Sequence, residues 1–105
     1  MVSIKDFRKI ALSLPDTAEK PHFHLASFWV KKKIFATLGE KENRAMIKLP
    51  VNDQSVFCAY NKSIFSPVPG TWGLQGSTFV DLAQANKKIV KEALAVAYKA
   101  VLMRK

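Results

Sequence analysis

The sequence predicts an α+β fold, a two-layer sandwich in which helices cover one face of a five-stranded antiparallel sheet. Three observations lead to this prediction. Apolar residues recur at helical spacing near both ends of the chain. Between these two ends, side chains alternate with the period of two that is typical of strands, and short polar links join the alternating segments. The chain has 105 residues, the length of one ordinary domain, so we expect residues 1–105 to form a single unit.

A first helix is expected over residues 3–14. Ser3 and Asp6 have the spacing of a capping pair, which satisfies free amide groups of the first turn. Pro15 would end the helix, because the residue before a proline is forced out of the helical region. One apolar stripe would face the core, made of Phe7, Ile10, Ala11 and Leu14. Residues 16–21 are polar and predict a connection.

A three-stranded antiparallel meander is expected next. Large apolar side chains fall on both faces of residues 23–30, which indicates a strand whose second face is partly covered. A tight reversal at Lys31-Lys32 would lead into a strand over residues 33–38. A polar turn would then connect to a third strand over residues 44–49.

The middle of the chain predicts two further strands. Residues 51–60 are ambiguous and could form a short helix. Prolines interrupt residues 64–68, so this strand is expected at an edge or a bend of the sheet. Three glycines make residues 70–76 a loop, and residues 77–82 alternate again as the fifth strand.

The last helix is expected over residues 86–103, with Asn86 as its N-cap. A broad apolar arc would face the sheet, made of Ile89, Val90, Ala93, Leu94, Ala97, Ala100 and Val101. The opposing arc carries Lys87, Lys88, Lys91 and Lys99.

Several motifs are similar to those of the MmcQ/YjbR family: Leu14-Pro15-Asp16, Phe28-Trp29-Val30, Met46-Ile47-Lys48-Leu49, residues 70–82 and Ala97-Tyr98. The segment 70–82 is the most specific, because it resembles the family pattern G-x-W-G-x-x-G-W-T-x-V-x-L with Ser77 in place of the second tryptophan. The resemblance covers nearly the whole chain and implies the order α-β3-α-β2-α. It also implies DNA binding, which has been proposed for the family through a double-wing arrangement of hairpins. Lys31-Lys32 stands where glycines are common in the family's first hairpin turn.

Positive charge is unevenly distributed along the chain. The net charge is +9 and the sequence pI is near 9.9. Residues 21–50 carry six basic and two acidic side chains, and residues 83–105 carry six and one. Such concentration favours an anionic partner, although a solvated basic surface would have the same composition. The opening stretch has no secretory apolar core and no apolar run could span a membrane, so no membrane partner is expected.

The lysine-rich hairpin is the leading candidate for a nucleic-acid contact. Lys31, Lys32 and Lys33 would project from the tip of a two-stranded ribbon, and Arg44 and Lys48 could extend the patch. Lysine is a point charge suited to phosphates rather than to bidentate base recognition, so we expect nonspecific, backbone-dominated DNA binding. The alternative is a turn whose lysines keep the protein soluble and discourage edge pairing. The lysines of the last helix are a second candidate, with a solvated outer face as the alternative.

The two tryptophans are candidates for a different role. Trp29 on the first predicted strand could belong to a protein-interaction surface, and Trp72 between two glycines could shape a small-ligand site. For Trp72 the sequence favours an anchor inserted into the core. These interpretations lead to an alternative hypothesis for the function, a protein-interaction or small-ligand-binding module that uses the exposed sheet face.

Catalysis, a metal site and a cofactor are not expected. His22 and His24 would share a strand face, but no spaced motif supplies further ligands. The single cysteine, Cys58, lies between apolar neighbours that raise a thiol pKa, as in a structural cysteine. Its lack of an internal disulfide partner favours a reducing, cytoplasmic setting. The sequence contains no hydrolase, phosphate-loop or dinucleotide motif, so we expect a non-enzymatic binding domain.

Overall fold

The computed structural model describes residues 1–103, and these form one six-stranded antiparallel sheet with four helices. The strands are β1 (Thr17–His22), β2 (Leu25–Val30), β3 (Lys33–Gly39), β4 (Arg44–Lys48), β5 (Phe65–Pro67) and β6 (Ser77–Asp81). The helices are α1 (Ile4–Leu12), α2 (Val51–Tyr60), α3 (Thr71–Leu74) and α4 (Lys87–Leu102). Across the sheet the order is β1-β2-β3-β4-β6-β5, so β1 and β5 are its edges.

The core lies between one face of the sheet and the helices. Helix α4 packs across β2, β3 and β4, and α1 packs beside it. On β4 the side chains of Ala45 and Ile47 point into this core and are buried. The opposite face is called the open face below, and on β4 it carries Arg44, Met46 and Lys48.

The structure confirms the predicted helices at both ends. The Ser3 hydroxyl accepts a hydrogen bond from the Asp6 amide at 3.0 Å, and the Asn86 side chain accepts one from the Ile89 amide at 3.0 Å. These bonds satisfy donors that the first helical turn leaves free. Most of the predicted apolar positions are buried, namely Phe7, Ala11, Ile89, Val90, Ala93, Leu94, Ala97 and Val101.

The prediction of five strands is wrong, because the polar segment read as a connection forms β1. All six residues of β1 pair with β2, from Thr17 opposite Val30 to His22 opposite Leu25. An edge strand has one free edge and needs few apolar residues, so polar residues and a proline are tolerated there. The Arg8 side chain of α1 donates a hydrogen bond to Glu19 of β1 at 2.8 Å, which raises the pKa of Arg8 and ties the strand to the helix layer.

The predicted order α-β3-α-β2-α is also wrong. Four strands precede α2, and the glycine-rich segment between β5 and β6 contains the short helix α3. The strand expected over residues 23–30 begins at Leu25, because Phe23 has a φ of 59° and takes part in the turn between β1 and β2. The antiparallel pairing of β2 with β3 and of β3 with β4 is confirmed, and β5 lies at an edge as predicted.

Candidate nucleic-acid interface and the open sheet face

The β2–β3 hairpin ends in two lysines with an unusual backbone conformation. Val30 pairs with Lys33, so Lys31 and Lys32 form the entire loop. Their φ angles are 46° and 66°, and a type I′ turn requires positive φ at both central positions. Asparagine and glycine are preferred there, since the left-handed conformation costs other residues about 1–2 kcal/mol each. The hairpin therefore holds two exposed ammonium groups at its tip at the expense of stability.

The register places Lys48 at the hairpin end of the sheet and Arg44 at the other end. Ile47 pairs with Ala36, and Lys48 continues β4 towards the hairpin. Arg44 pairs with Gly39, the last residue of β3, which is roughly 20 Å from the start of that strand at about 3.3 Å per residue. The basic residues expected to form one patch are thus divided between Arg44 and a group called the lysine end, comprising Lys31, Lys32, Lys33 and Lys48.

Carboxylates are concentrated at the end of the sheet opposite the hairpin. Three of them lie in the β3–β4 turn or at the close of β6: Glu40, Glu42 and Asp81. Near the hairpin, Asp16 immediately precedes β1, whose first residue pairs with Val30. The electrostatic field along the strands is therefore asymmetric, positive at the lysine end and mixed at the other.

The last turns of α4 approach the lysine end as well. The Tyr98 hydroxyl donates a hydrogen bond to the Pro15 carbonyl at 2.7 Å, and its ring meets that of Phe35 edge-on at a centroid distance of 5.8 Å. Lys99 follows Tyr98 and is exposed, so it adds positive charge there. Lys88 and Lys91 are exposed on the N-terminal half of α4, away from the hairpin.

The open face contains a cavity of about 470 Å³. Its apolar lining comes from the two central strands and from β6, and includes Ile34, Met46 and Phe79. Arg44 and Lys48 line it from β4, four residues apart, which corresponds to roughly 13 Å along the strand. The dimensions and the mixture of apolar walls with a few charged groups are those of small-molecule sites in proteins.

Arg44 is stacked on an aromatic ring inside this cavity. Its guanidinium carbon lies 3.8 Å from the centroid of the Phe79 ring. Phe79 is opposite Met46 in the β4–β6 pairing, so the ring forms part of the cavity floor beside that methionine. Stacking holds the planar guanidinium in one orientation and reduces the entropy lost when it binds an anion.

Trp72 is exposed, and the prediction that it anchors in the core is wrong. Its exposed fraction is 64%, and its indole forms one wall of the cavity beside Lys48. The backbone of α3, rather than the indole, faces the protein: a Cβ atom at Gly73 would collide with the Val68 carbonyl. Trp72 therefore matches the alternative interpretation of the sequence, in which its aromatic side chain shapes a concave surface.

A buried glutamine holds the segment that carries Trp72. The Gln54 side chain, 7% exposed, donates hydrogen bonds to the carbonyls of Gly73 at 2.9 Å and Ser77 at 3.0 Å. These two carbonyls flank the end of the glycine-rich segment, so one side chain of α2 joins that helix to the segment that carries the tryptophan. Sequence reasoning missed this role, because Gln54 lies in a segment with no clear periodicity.

We expect Gln54→Ala to reduce the free energy of unfolding by about 1–3 kcal/mol, because two hydrogen bonds worth about 0.5–1.5 kcal/mol each are lost, while each carbonyl keeps one backbone donor. Urea unfolding monitored by circular dichroism would measure the change. The slope of the unfolding free energy against urea concentration should be the same as in the wild type. Asn52→Ala is the matched control, since Asn52 is exposed on the same helix and should change stability by less than about 0.5 kcal/mol. Equal stability of the two variants would contradict the assigned role of Gln54.

Trp29 lies outside the cavity. It is half-buried near the β1 edge, and its indole Nε1 donates a hydrogen bond to the Ser27 hydroxyl at 2.8 Å. The Lys20 ammonium lies 5.0 Å from the centroid of its ring. The two tryptophans named as interaction residues therefore occupy separate places, and Trp72 is the one that lines the concave site.

The prediction that His22 and His24 share a strand face is wrong. The positive φ of Phe23 breaks the alternation, leaving His22 at the end of β1 and His24 in the turn. His24 Nε2 lies 3.8 Å from a Glu42 carboxylate oxygen. Cys58 is half-buried, and burial raises the pKa of its thiol, which lowers its nucleophilic reactivity at neutral pH.

Residues 1–103 contain neither a cluster of metal-ligating side chains nor a membrane-spanning helix. In that range no three or more histidine, cysteine or acidic side chains are grouped as metal ligands would be. None of the described helices has the length and apolar character needed to cross a bilayer.

The architecture is shared with a solved structure. Protein DR2400 of Deinococcus radiodurans, whose crystal structure is assigned a DUF419 domain, superposes with a TM-score of 0.85. The superposition covers 99% of this chain and 81% of that one, at 18% sequence identity. This chain has the DUF419 fold. Neither a family model nor a curated protein sequence matches the chain.

Proposed function

We propose that this protein is a cytoplasmic, non-enzymatic DNA-binding domain of the MmcQ/YjbR family, the family to which the DUF419 fold belongs. It contacts the phosphate backbone through the lysine end, with the β2–β3 hairpin as one wing. The motif resemblance over residues 70–82 and the shared fold support family membership together. Lysine ammonium groups supply charge without base recognition, so binding is nonspecific and salt-dependent.

The observation that carries the proposal is the conformation of Lys31 and Lys32. A loop selected for stability alone would have asparagine and glycine at these two positions. Backbone strain that persists in a folded protein is concentrated at functional sites. Here the strain is coupled to charge, because both residues are exposed lysines at the end of the sheet away from three of its carboxylates.

Arg44 is not part of this phosphate contact. It lies at the far end of β4 and its guanidinium is stacked on Phe79. The phosphate-contacting residues are therefore Lys31, Lys32, Lys33 and Lys48.

We expect the double variant Lys31→Asn/Lys32→Gly to be more stable than the wild type by about 1–3 kcal/mol, because the relief of two positive-φ costs exceeds the extra entropy that glycine loses on folding. The gain would appear as a higher urea midpoint in circular dichroism. The single variant Lys62→Gln is the control, since Lys62 is an exposed loop lysine in an ordinary conformation. A double variant less stable than the wild type would show that the tip is not strained.

The proposal is tested by titrating the wild-type protein against duplex DNA, single-stranded DNA and RNA of matched sequence at several salt concentrations. Duplex binding should weaken by about 0.9 log units per log unit of salt for each phosphate contacted. Duplexes of different sequence should bind alike. Absence of duplex binding at low salt would remove the proposal. Tighter binding of single strands would replace it by a single-strand function.

A further inference from the structure

We propose that the cavity of the open face binds a flat aromatic ring that carries a phosphate or carboxylate group. The site shares Lys48 with the lysine end but none of the hairpin lysines, and it does not depend on the proposed DNA binding. Its volume, about 470 Å³, lies within the range of small-molecule pockets and accommodates a nucleotide-sized ligand.

The aromatic part of the ligand is inferred from the walls. Trp72 is 64% exposed, yet it stands on a segment held by the two hydrogen bonds from buried Gln54. A large exposed apolar side chain that borders an apolar cavity indicates a binding surface rather than a packing residue. Met46 and Phe79 supply the apolar floor next to it. A planar ring fits here because aromatic stacking adds about 0.5–1.5 kcal/mol to the burial of apolar area.

The anionic part is inferred from Arg44. Within residues 1–103, its guanidinium packs on the Phe79 ring and forms no ion pair with a carboxylate. Two carboxylates lie at this end of the sheet. Glu42 lines the same cavity and has an oxygen 3.8 Å from His24 Nε2, and Asp81, opposite Arg44 in the β4–β6 pairing, accepts a hydrogen bond from the Ala83 amide at 3.0 Å. A stacked guanidinium at the edge of an apolar cavity offers two parallel donors to a phosphate or carboxylate.

Adenosine 5′-monophosphate is a suitable probe, because it combines an aromatic ring with a phosphate. Its binding would be followed by the quenching of tryptophan emission in the wild-type protein. Adenosine tests the ring alone, and ribose 5-phosphate tests the anion alone. In Trp72→Phe the emission change should disappear, since Trp29 lies outside the cavity.

We expect saturable quenching by the monophosphate, with an affinity about tenfold higher than that of adenosine, and no saturation with ribose 5-phosphate. Arg44→Gln should remove the tenfold preference for the monophosphate over adenosine. Lys91→Gln, which removes one charge from the helix layer, should have no effect. The double variant Lys31→Asn/Lys32→Gly should titrate like the wild type, which separates this site from the hairpin.

Three results would overturn the inference: no saturable quenching by the monophosphate, equal binding of ribose 5-phosphate, or a preference that survives in Arg44→Gln. A fourth result would assign the surface to a second copy of the chain instead. In that case Trp72→Ala would sediment differently from the wild type, and adding the monophosphate would not change the sedimentation of the wild type. If the monophosphate binds, competition by a single-stranded oligonucleotide would identify the natural source as a strand. Lack of competition would identify it as a free small molecule.

Discussion

Leu94→Ala should destabilise the protein by about 2–5 kcal/mol, the range found when a core leucine is truncated. Leu94 is 1% exposed in α4, the helix that packs across the three strands of the meander. The substitution removes apolar surface from the core and leaves a cavity that neighbouring side chains fill only partly. Because a domain of this size is stable by about 5–15 kcal/mol, the loss would be a large part of the total.

Urea unfolding of Leu94→Ala and of Lys91→Ala would measure this effect. Lys91 lies on the exposed face of the same helix, so its truncation should change stability by less than about 0.5 kcal/mol. A loss below about 1 kcal/mol for Leu94→Ala would contradict the packing of α4 on the sheet.

The strands β2 to β4 and both terminal helices could be predicted because their apolar patterns are strong. Residues 25–38 carry apolar side chains on both faces, and α4 has a continuous apolar arc, so local period and burial agree. The edge strand β1 could not be predicted in this way. Its sequence, Thr17 to His22, has one small apolar residue and a proline, and it is ordered by pairing with β2 and by the bond from Arg8 to Glu19.

The open-face cavity could be predicted only in part. Alternation correctly placed Met46 and Lys48 on one surface of the predicted strand. The neighbour of that strand is β6, about thirty residues later in the chain, and this pairing is what brings Phe79 beside Met46. Residue type alone predicts burial of Trp72, whereas in the structure the backbone at Gly73 packs against Val68 and the indole is exposed.

Lys31→Asn/Lys32→Gly should bind duplex DNA about tenfold to a hundredfold more weakly than the wild type at about 50 mM salt, because two phosphate contacts and their released counterions are lost. The loss should be the same for every duplex sequence, since these contacts carry no base information. Unfolding cannot account for it, because this variant is expected to be the more stable protein. Fluorescence anisotropy of a labelled duplex would measure the affinities.

The matched control is Lys88→Gln/Lys91→Gln, which removes two positive charges from the exposed half of α4 away from the hairpin. It should bind duplex DNA within about twofold of the wild type at the same salt, if the contact is local. An equal loss in the two double variants would mean that only the overall charge of the protein matters. The hairpin would then have no special role.

The salt dependence of duplex binding by the wild type and by Lys31→Asn/Lys32→Gly tests the role of the hairpin most directly. The logarithm of the binding constant should fall with the logarithm of the salt concentration in both proteins. The slope should be smaller in magnitude by roughly 1.8 in the variant, about 0.9 for each phosphate contact removed. Parallel lines for the two proteins, or no measurable binding by the wild type at low salt, would contradict a phosphate contact at the lysine hairpin.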